Sequence, residues 1–404
     1  MSAYPSYAPD FKIQMGGESL PLAMRGSIIS ITYQDGIEGA DRVEVSFANP
    51  NLMFLDHPVL QVDNKFSLSL GYAPDPLEEV FVGEITGVEP TFPNSGMPTI
   101  KVVAHDFLQR LTHGTRNRAF YIPIPKVGNF PLPDPVVASI VSGTNLLIPY
   151  PDPVAGALSV LMTVATFIVS PALAQQGIVR QQGTSDFAFL TSLAKKNGWE
   201  LYIDHTLDPH GYVLRFHSMR GGDADLSLKF GQSLMDFSPR LTTVGDIFGV
   251  SARVWVNSIK MGFVINVSWD YDRAAFNLAI YPGFGELEGL IGKDAAKSSL
   301  AIAPTGFATA PQKILTELIP RLNNRLTGTG SSIGDLRIKA GRVIDLQGLG
   351  EQFSGKYRIT SATHTVGASG FKTSFQVRKE IWFGGIPKPK GIGGLFRIQG
   401  QRIG

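Results

Sequence analysis

The stretch QQGTSDFAFLTSLAKKNGWELYI, Gln181 to Ile203, decides how the chain is read. Ser185 is a helix N-cap candidate, because its hydroxyl can accept a bond from an orphan N–H of the first turn. Asp186 follows where the helix dipole favours a negative charge. Phe187, Leu190 and Ala194 share one helical face, and Leu193 widens it. Lys195 and Lys196 suit the last turn. Asn197-Gly198 is a stop signal, since glycine tolerates the left-handed conformation that ends a helix. Trp199–Ile203 then alternates as a strand, His205–Gly211 reads as a turn, and Tyr212–His217 reads as the return strand. This helix–strand–turn–strand unit is a packing unit with no evident chemistry.

Working outward, residues 11–112 read as strands joined by turns. Ile28–Tyr33, Arg42–Ala48, Phe66–Tyr72, Val80–Val88 and Thr99–Ala104 form the series, with Val43, Val45 and Phe47 on one face. Asp106–Leu111 closes it as a short helical turn. Such spacing points to a barrel or sandwich. On the other side, LSLKFG, GVSARVWVNS, GFVINVSWDYD and AFNLAIY are again strand-like. A helix is expected at 310–326, with Thr309 and Gln312 as a capping box, Leu315, Leu318, Leu322 and Leu326 as its stripe, and a kink at Pro320. Lys356–Thr365 and Phe371–Ile381, joined by VGASG, form the clearest hairpin. Tyr357, Ile359 and Ser361 alternate on one arm, and Phe371, Thr373, Phe375 and Val377 on the other.

Between Asp152 and Arg180 there is no charged residue, and Val154–Ala174 is an apolar run of near-spanning length. Pro171 shortens its helix, and basic flanks are absent. A segment covered by protein is the preferred reading, with membrane contact the lesser one. The tail 383–404 is Gly-rich and basic. It reads equally as a disordered terminus or as an arm that orders against a partner.

Composition narrows function. A length of 404 residues allows two or three domains. Charged residues are 17%, against about a quarter in typical chains. The net charge of +2 gives no electrostatic reason for a nucleic-acid partner. Cys is zero, which excludes disulfides, thiol catalysis and Cys-based metal sites. No secretory signal is expected at the N-terminus.

The search for chemistry returns no catalytic, cofactor-binding or metal-ligating residue. Ser192 and Lys195 match an S-x-x-K pattern but lie within the helix, without companion motifs. The glycines near 328–334 miss the dinucleotide fingerprint. His205, His210 and His217 could in principle ligate zinc or iron, but their spacing fits no common ligand pair. A solvated turn and a strand histidine are the preferred reading. Asp223/Asp225 and Asp270/Asp272 lack the further oxygen ligands of a calcium loop.

The opening stretch resembles the Q-x-x-x-S-D-x-x-F-L-x-x-L-A-x-x-x-G segment of baseplate hub proteins of contractile tails. These are the phage late control protein D family and the hub part of valine-glycine repeat protein G. The matches are Gln181 or Gln182, Ser185, Asp186, Phe189, Leu190, Leu193, Ala194 and Gly198. FVGEITGVEP with TIKVVAHDFLQRL is similar to the family's first-barrel strands, and LSLKFGQSLMDFSPRL to the lead into its second. The closing block is similar through Gly341, Ile344, Leu346, Gly348, Gly355, Tyr357, Ile359, His364, Gly370, Phe371, Thr373 and Phe375.

The resemblance implies a mainly β, ring-forming chain. Two tube-type β-barrel domains, 1–112 and 236–382, would flank a peripheral α+β insert at 113–235 that holds the segment 154–174 and helix 186–197. The arm 383–404 would follow. It implies a non-enzymatic structural hub, a homotrimer adapting a sixfold inner tube to a threefold spike and expelled with the tube. Partners would be the tube or tube-initiator protein, other baseplate proteins and a spike on a separate polypeptide. Its place would be the tail of a phage or injection particle, assembled in the producing cell's cytoplasm. No cofactor is implied. The rivals are a tail-associated cell-wall hydrolase, a membrane-inserted β protein and a host-surface adhesin.

Overall fold

The computed structural model describes residues 8–151, 153–169, 174–175, 177–217, 221–242, 249–256, 260–270, 275–283, 299–302 and 310–384. The chain is mainly β and divides into two compact units. One comprises residues 1–219, 331–342 and 360–375; the other comprises 220–330, 343–359 and 376–404.

The first unit is built on an antiparallel ladder. Its strand order is Glu18–Ser19, Ala8–Met15, Lys65–Ala73, Glu78–Thr91, Thr99–His105, Arg42–Ala48, Ile28–Gly36, followed by the 360–367 part of the strand Gly355–Gly367. Period-two alternation places Val43, Val45 and Phe47 inward as the sequence predicts. They join Phe66, Leu68, Phe81, Ile100 and Val102 in one core. The sheets of the described residues are open paths and none returns to its first strand. The closing hairpin joins this unit, since Thr363, His364 and Thr365 pair with Gln34, Tyr33 and Thr32.

The first unit holds a second core. The helices Asp134–Thr144 and Asp186–Asn197 bury Val137, Val141, Phe189, Leu190 and Leu193 against Phe107, Leu108, Leu214 and Phe216. Two three-stranded sheets complete it. One is Ile148–Pro151, Val213–His217 and Glu200–Ile203; the other is Val179–Thr184, Arg116–Ile124 and Gly128–Pro131. The apolar run forms the helix Pro153–Val169. No helix among the described residues is long and apolar enough to cross a membrane.

In the second unit, Ala275–Pro282, Met261–Asp270, Gly249–Val256 and Ser299–Ile302 form a four-stranded sheet. The helix Ala310–Asn323 packs on it through Ile314, Leu318 and Leu322. Leu226–Lys229 runs parallel to Val343–Gln347.

Some boundaries differ from expectation. The last helix ends at Asn323, and Leu326 begins the strand Leu326–Ile333, buried by the sheet rather than by a helical stripe. The glycines of 328–334 accordingly lie on or beside a strand. At Gly328 a Cβ would stand 2.5 Å from Phe237 Cζ, so the Phe237 ring would have to shift to admit one. Thr309, Asp272 and residues 385–404 lie outside the described residues. In the closing strand the buried positions run Tyr357, Arg358, Ile359, then Ala362, His364, Val366, so Ser361 is not on the buried face.

Candidate functional site

Of the hub-like motif residues, Asp186, Phe189, Leu190, Leu193, Tyr357, His364, Phe371, Thr373 and Phe375 are buried, Ser185 and Gly355 are half-buried, and Gly198 is exposed. Ser185 caps its helix by accepting from Ala188 N at 3.2 Å. Asp186 does more than meet the helix dipole. Its buried carboxylate accepts from Arg118, from Gln181 Nε2 at 2.9 Å and from Asn145 Nδ2 at 2.9 Å. Burial opposes its charge, but the hydrogen bonds from Asn145, Gln181 and Arg118 prevail and hold its carboxyl below the ordinary range. Gln181 is buried and also accepts from Arg118 Nε at 2.8 Å, whereas Gln182 is exposed. That settles which glutamine does the work. Phe189 stacks on Phe120, Leu190 and Leu193 fill the insert core, and Gly198 takes the left-handed cap at φ +67.

In the closing block, Gly355 sits at φ +113, and Tyr357 donates its hydroxyl to the Phe353 carbonyl at 2.8 Å. Phe375 is buried on the hairpin's inner face. Phe371 lies over Gly334, where a Cβ would collide with its ring.

His364 is fully buried. Its Nε2 lies 3.1 Å from the Ile338 carbonyl, so that nitrogen carries the hydrogen; its Nδ1 then accepts from the Thr373 hydroxyl at 2.9 Å. Thr373 Oγ1 accepts in turn from Asp335 N at 3.0 Å. The neutral tautomer satisfies every partner. Burial, with Lys339 nearby, pushes the imidazole down to about 4.

Tyr33 stacks on His364 at 5.7 Å and leads to a second buried polar group. The Tyr33 hydroxyl donates to Asp41 Oδ2 at 3.3 Å. Asp41 N donates to Asp106 Oδ2 at 2.9 Å, and Asp106 Oδ1 accepts from Leu108 N at 2.9 Å. His205 Nε2 stands 3.5 Å from Asp41 Oδ2. Burial raises Asp35 to about 6 and Asp106 to about 7. Burial and the facing carboxylates of Asp106 and Asp35 raise Asp41 well above the carboxylate range. His205 is pushed down to about 4, first by burial.

His205 corrects the sequence reading. It is 7% exposed, not a solvated turn residue, while His210 is exposed. The side chain of His217 is not among those described. Asp41, Asp106 and His205 lie far apart in sequence, so no ligand spacing could flag them. Ser192 bonds back to the Phe189 carbonyl at 2.7 Å, as an ordinary helical serine does.

A prediction follows for His364. An imidazole held down at about 4 contributes stability that is complete above its ordinary value of about 6.5 and is lost as pH falls toward 4. Asp35 acts with the opposite sign over part of that window. The difference between wild type and His364→Gln isolates the imidazole from Asp35, Lys339 and Asp335. Urea midpoints between pH 7 and pH 4.5 are expected to fall more steeply in wild type, by about 2 kcal/mol in total. Parallel curves would refute the assignment.

No family model matches the sequence, and no curated protein matches it. Solved structures do match. The 43 kDa tail protein of prophage MuSo2 from Shewanella oneidensis aligns with a TM-score of 0.61 at 12% identity, covering 92% of this chain and 98% of that one. The tail protein from Neisseria meningitidis MC58 aligns at 0.57 and 10% identity, over 94% of this chain and all of its own length (100%). An E. coli component of the type VI secretion system, described as structurally similar to T4 bacteriophage tail proteins, aligns at 0.53 and 12% identity, over 94% and 80%. Across nearly its whole length the chain shares the fold of phage tail proteins and of a type VI secretion component, the architecture its hub-like motifs resemble.

Proposed function

We propose that the chain is a structural hub of a contractile phage tail or phage-derived injection device. The observation that carries this is a whole-chain match, 92% of this chain on 98% of a prophage tail protein, rather than a match of one domain. In this reading three copies form a ring that adapts a sixfold inner tube to a threefold spike. The ring also contacts the tube-initiator and other baseplate proteins, and it leaves with the tube on contraction. It is assembled in the producing cell's cytoplasm. The role is non-enzymatic. The one acid–imidazole cluster among the described residues is buried, which suits structure better than hydrolysis of a cell wall.

The helix Pro153–Val169 supports an assembled protein. Ala157, Val160, Leu161, Val164 and Ile168 are exposed at helical spacing, so an apolar stripe faces outward. Phe167 instead packs edge-on against Phe130 at 5.0 Å, inside the chain. Leu161→Asp is therefore expected to leave thermal unfolding unchanged while blocking particle assembly. Normal particles from that variant would remove the helix from the interface.

Light scattering on the purified protein, without and then with the neighbouring spike protein, tests the central claim. A mass of about three times 43.7 kDa, capped by the spike, is expected. A monomer that ignores the spike would overturn it.

A further inference from the structure

We infer that Asp41, Asp106 and His205 form a buried site for one divalent first-row transition metal ion. Each offers one ligand atom, and these atoms lie within 4.8 Å of one another. All three residues belong to the first unit and are buried.

The imidazole is the independent observation. Both ring nitrogens of His205 are buried and make no hydrogen bond to any protein group. A buried polar group without a partner costs free energy, so a histidine with two idle nitrogens needs an explanation. Its Nε2 stands 3.5 Å from Asp41 Oδ2, longer than a good hydrogen bond. That separation suits two donors on one ion. Donors each about 2.1 Å from a tetrahedral metal stand roughly 3.4 Å apart.

The surroundings hold the ligands still. Asp106 caps the turn Phe107–Thr112, and its oxygens accept from Leu108 N and Asp41 N. Asp41 Oδ1 accepts from Gly36 N at 3.2 Å. Carboxylate oxygens retain a second lone pair after one such bond, so the backbone orients them without using them up. The His205 turn is ordered by Asp204, which accepts from Thr206 N and Leu207 N. Gly211 closes it at φ +76; a Cβ there would stand 3.1 Å from the imidazole. The bridge between Glu38 and Leu201 brings this turn to the Asp41 loop.

Asp41 and Asp106 would bind as carboxylates, and a dication balances both of those charges inside a dry site. Two carboxylates with one imidazole suit zinc, manganese or iron(II), whereas calcium and magnesium prefer oxygen alone. The ion would staple the sheet to the insert. This inference does not depend on the tail role.

The test uses the full chain purified without chelator. Elemental analysis by mass spectrometry is expected to find one zinc, manganese or iron per chain. Stripping with a strong chelator should lower the melting temperature by several degrees, with recovery on adding zinc but not magnesium. His205→Gln should lose the metal. Well under one equivalent, with no thermal response to zinc, manganese or iron, overturns the site. So does a His205→Gln protein that keeps its metal. Should that variant fail to fold, cobalt added to stripped wild type decides: visible absorption supports the site, and its absence refutes it.

Discussion

Glu380→Ala is expected to destabilise the second unit by about 3–5 kcal/mol, the usual cost of removing one partner from a buried ion pair. Glu380 is fully buried. Its carboxylate accepts from Arg358 Nη2 at 3.1 Å, Arg378 Nη2 at 2.9 Å and Trp382 Nε1 at 2.9 Å. Two guanidinium groups converge on one carboxylate, and Arg358 is itself only 4% exposed. Deleting the acid leaves two cations near each other in a poorly hydrated place. Arg358 also donates to the Gly221 carbonyl at 2.6 Å, so it cannot swing out to water without breaking a second bond. Glu380→Gln keeps the shape and one acceptor and should lose less. Urea unfolding followed by tryptophan fluorescence reads the effect, since Trp382 is bonded to the group removed. A midpoint shift worth less than about 1 kcal/mol, as for an exposed pair, would mean that the pair is solvated.

Gly83→Ala should be as damaging to the first unit, by roughly 3 kcal/mol or more, through overpacking. Gly83 pairs with Phe66 in the middle of the ladder. A Cβ there would overlap the His105 carbonyl oxygen and stand 2.7 Å from its carbon and 2.8 Å from Phe81 Cζ. A ring tip can rotate away, but a backbone carbonyl inside a sheet cannot. Gly87, four residues along the same strand, meets only Val103 Cβ at 3.8 Å. Gly87→Ala is therefore the control, expected within about 1 kcal/mol of wild type. Thermal melts of both variants decide the matter. Equal melting temperatures would show that the strand can separate from Thr99–His105 at no cost.

Gly83 and Gly87 also mark a limit of sequence reading. Both sit in the same hub-like segment, and nothing local separates them. Only the neighbouring strand gives one a carbonyl to avoid and the other open space. The Asp41–Asp106–His205 cluster shows the same limit more strongly. Its members come from a turn, a cap and another turn, each unremarkable locally. Histidine spacing along the chain directed attention to His210 and His217, whereas the partners of His205 were acids 99 and more residues earlier in the chain.

Local rules did determine a great deal. Ser185 to Gly198 forms the capped helix that its cap, stripe and stop residues require, because each of those signals acts within one helical turn. Alternation determined the strands of the first ladder and the inner face Phe371, Thr373, Phe375 and Val377, because side chains of a strand must point alternately in and out. The order of motifs pointed to a tail-type architecture, and the fold agrees. Tertiary structure alone decided the rest: that Asp186 serves a buried Arg118–Gln181–Asn145 network, that the closing strand changes face at Ser361, and that His205 is dry beside two acids. These follow from which distant segments share a core. That is settled by the summed burial of many side chains, and no short window of sequence carries it.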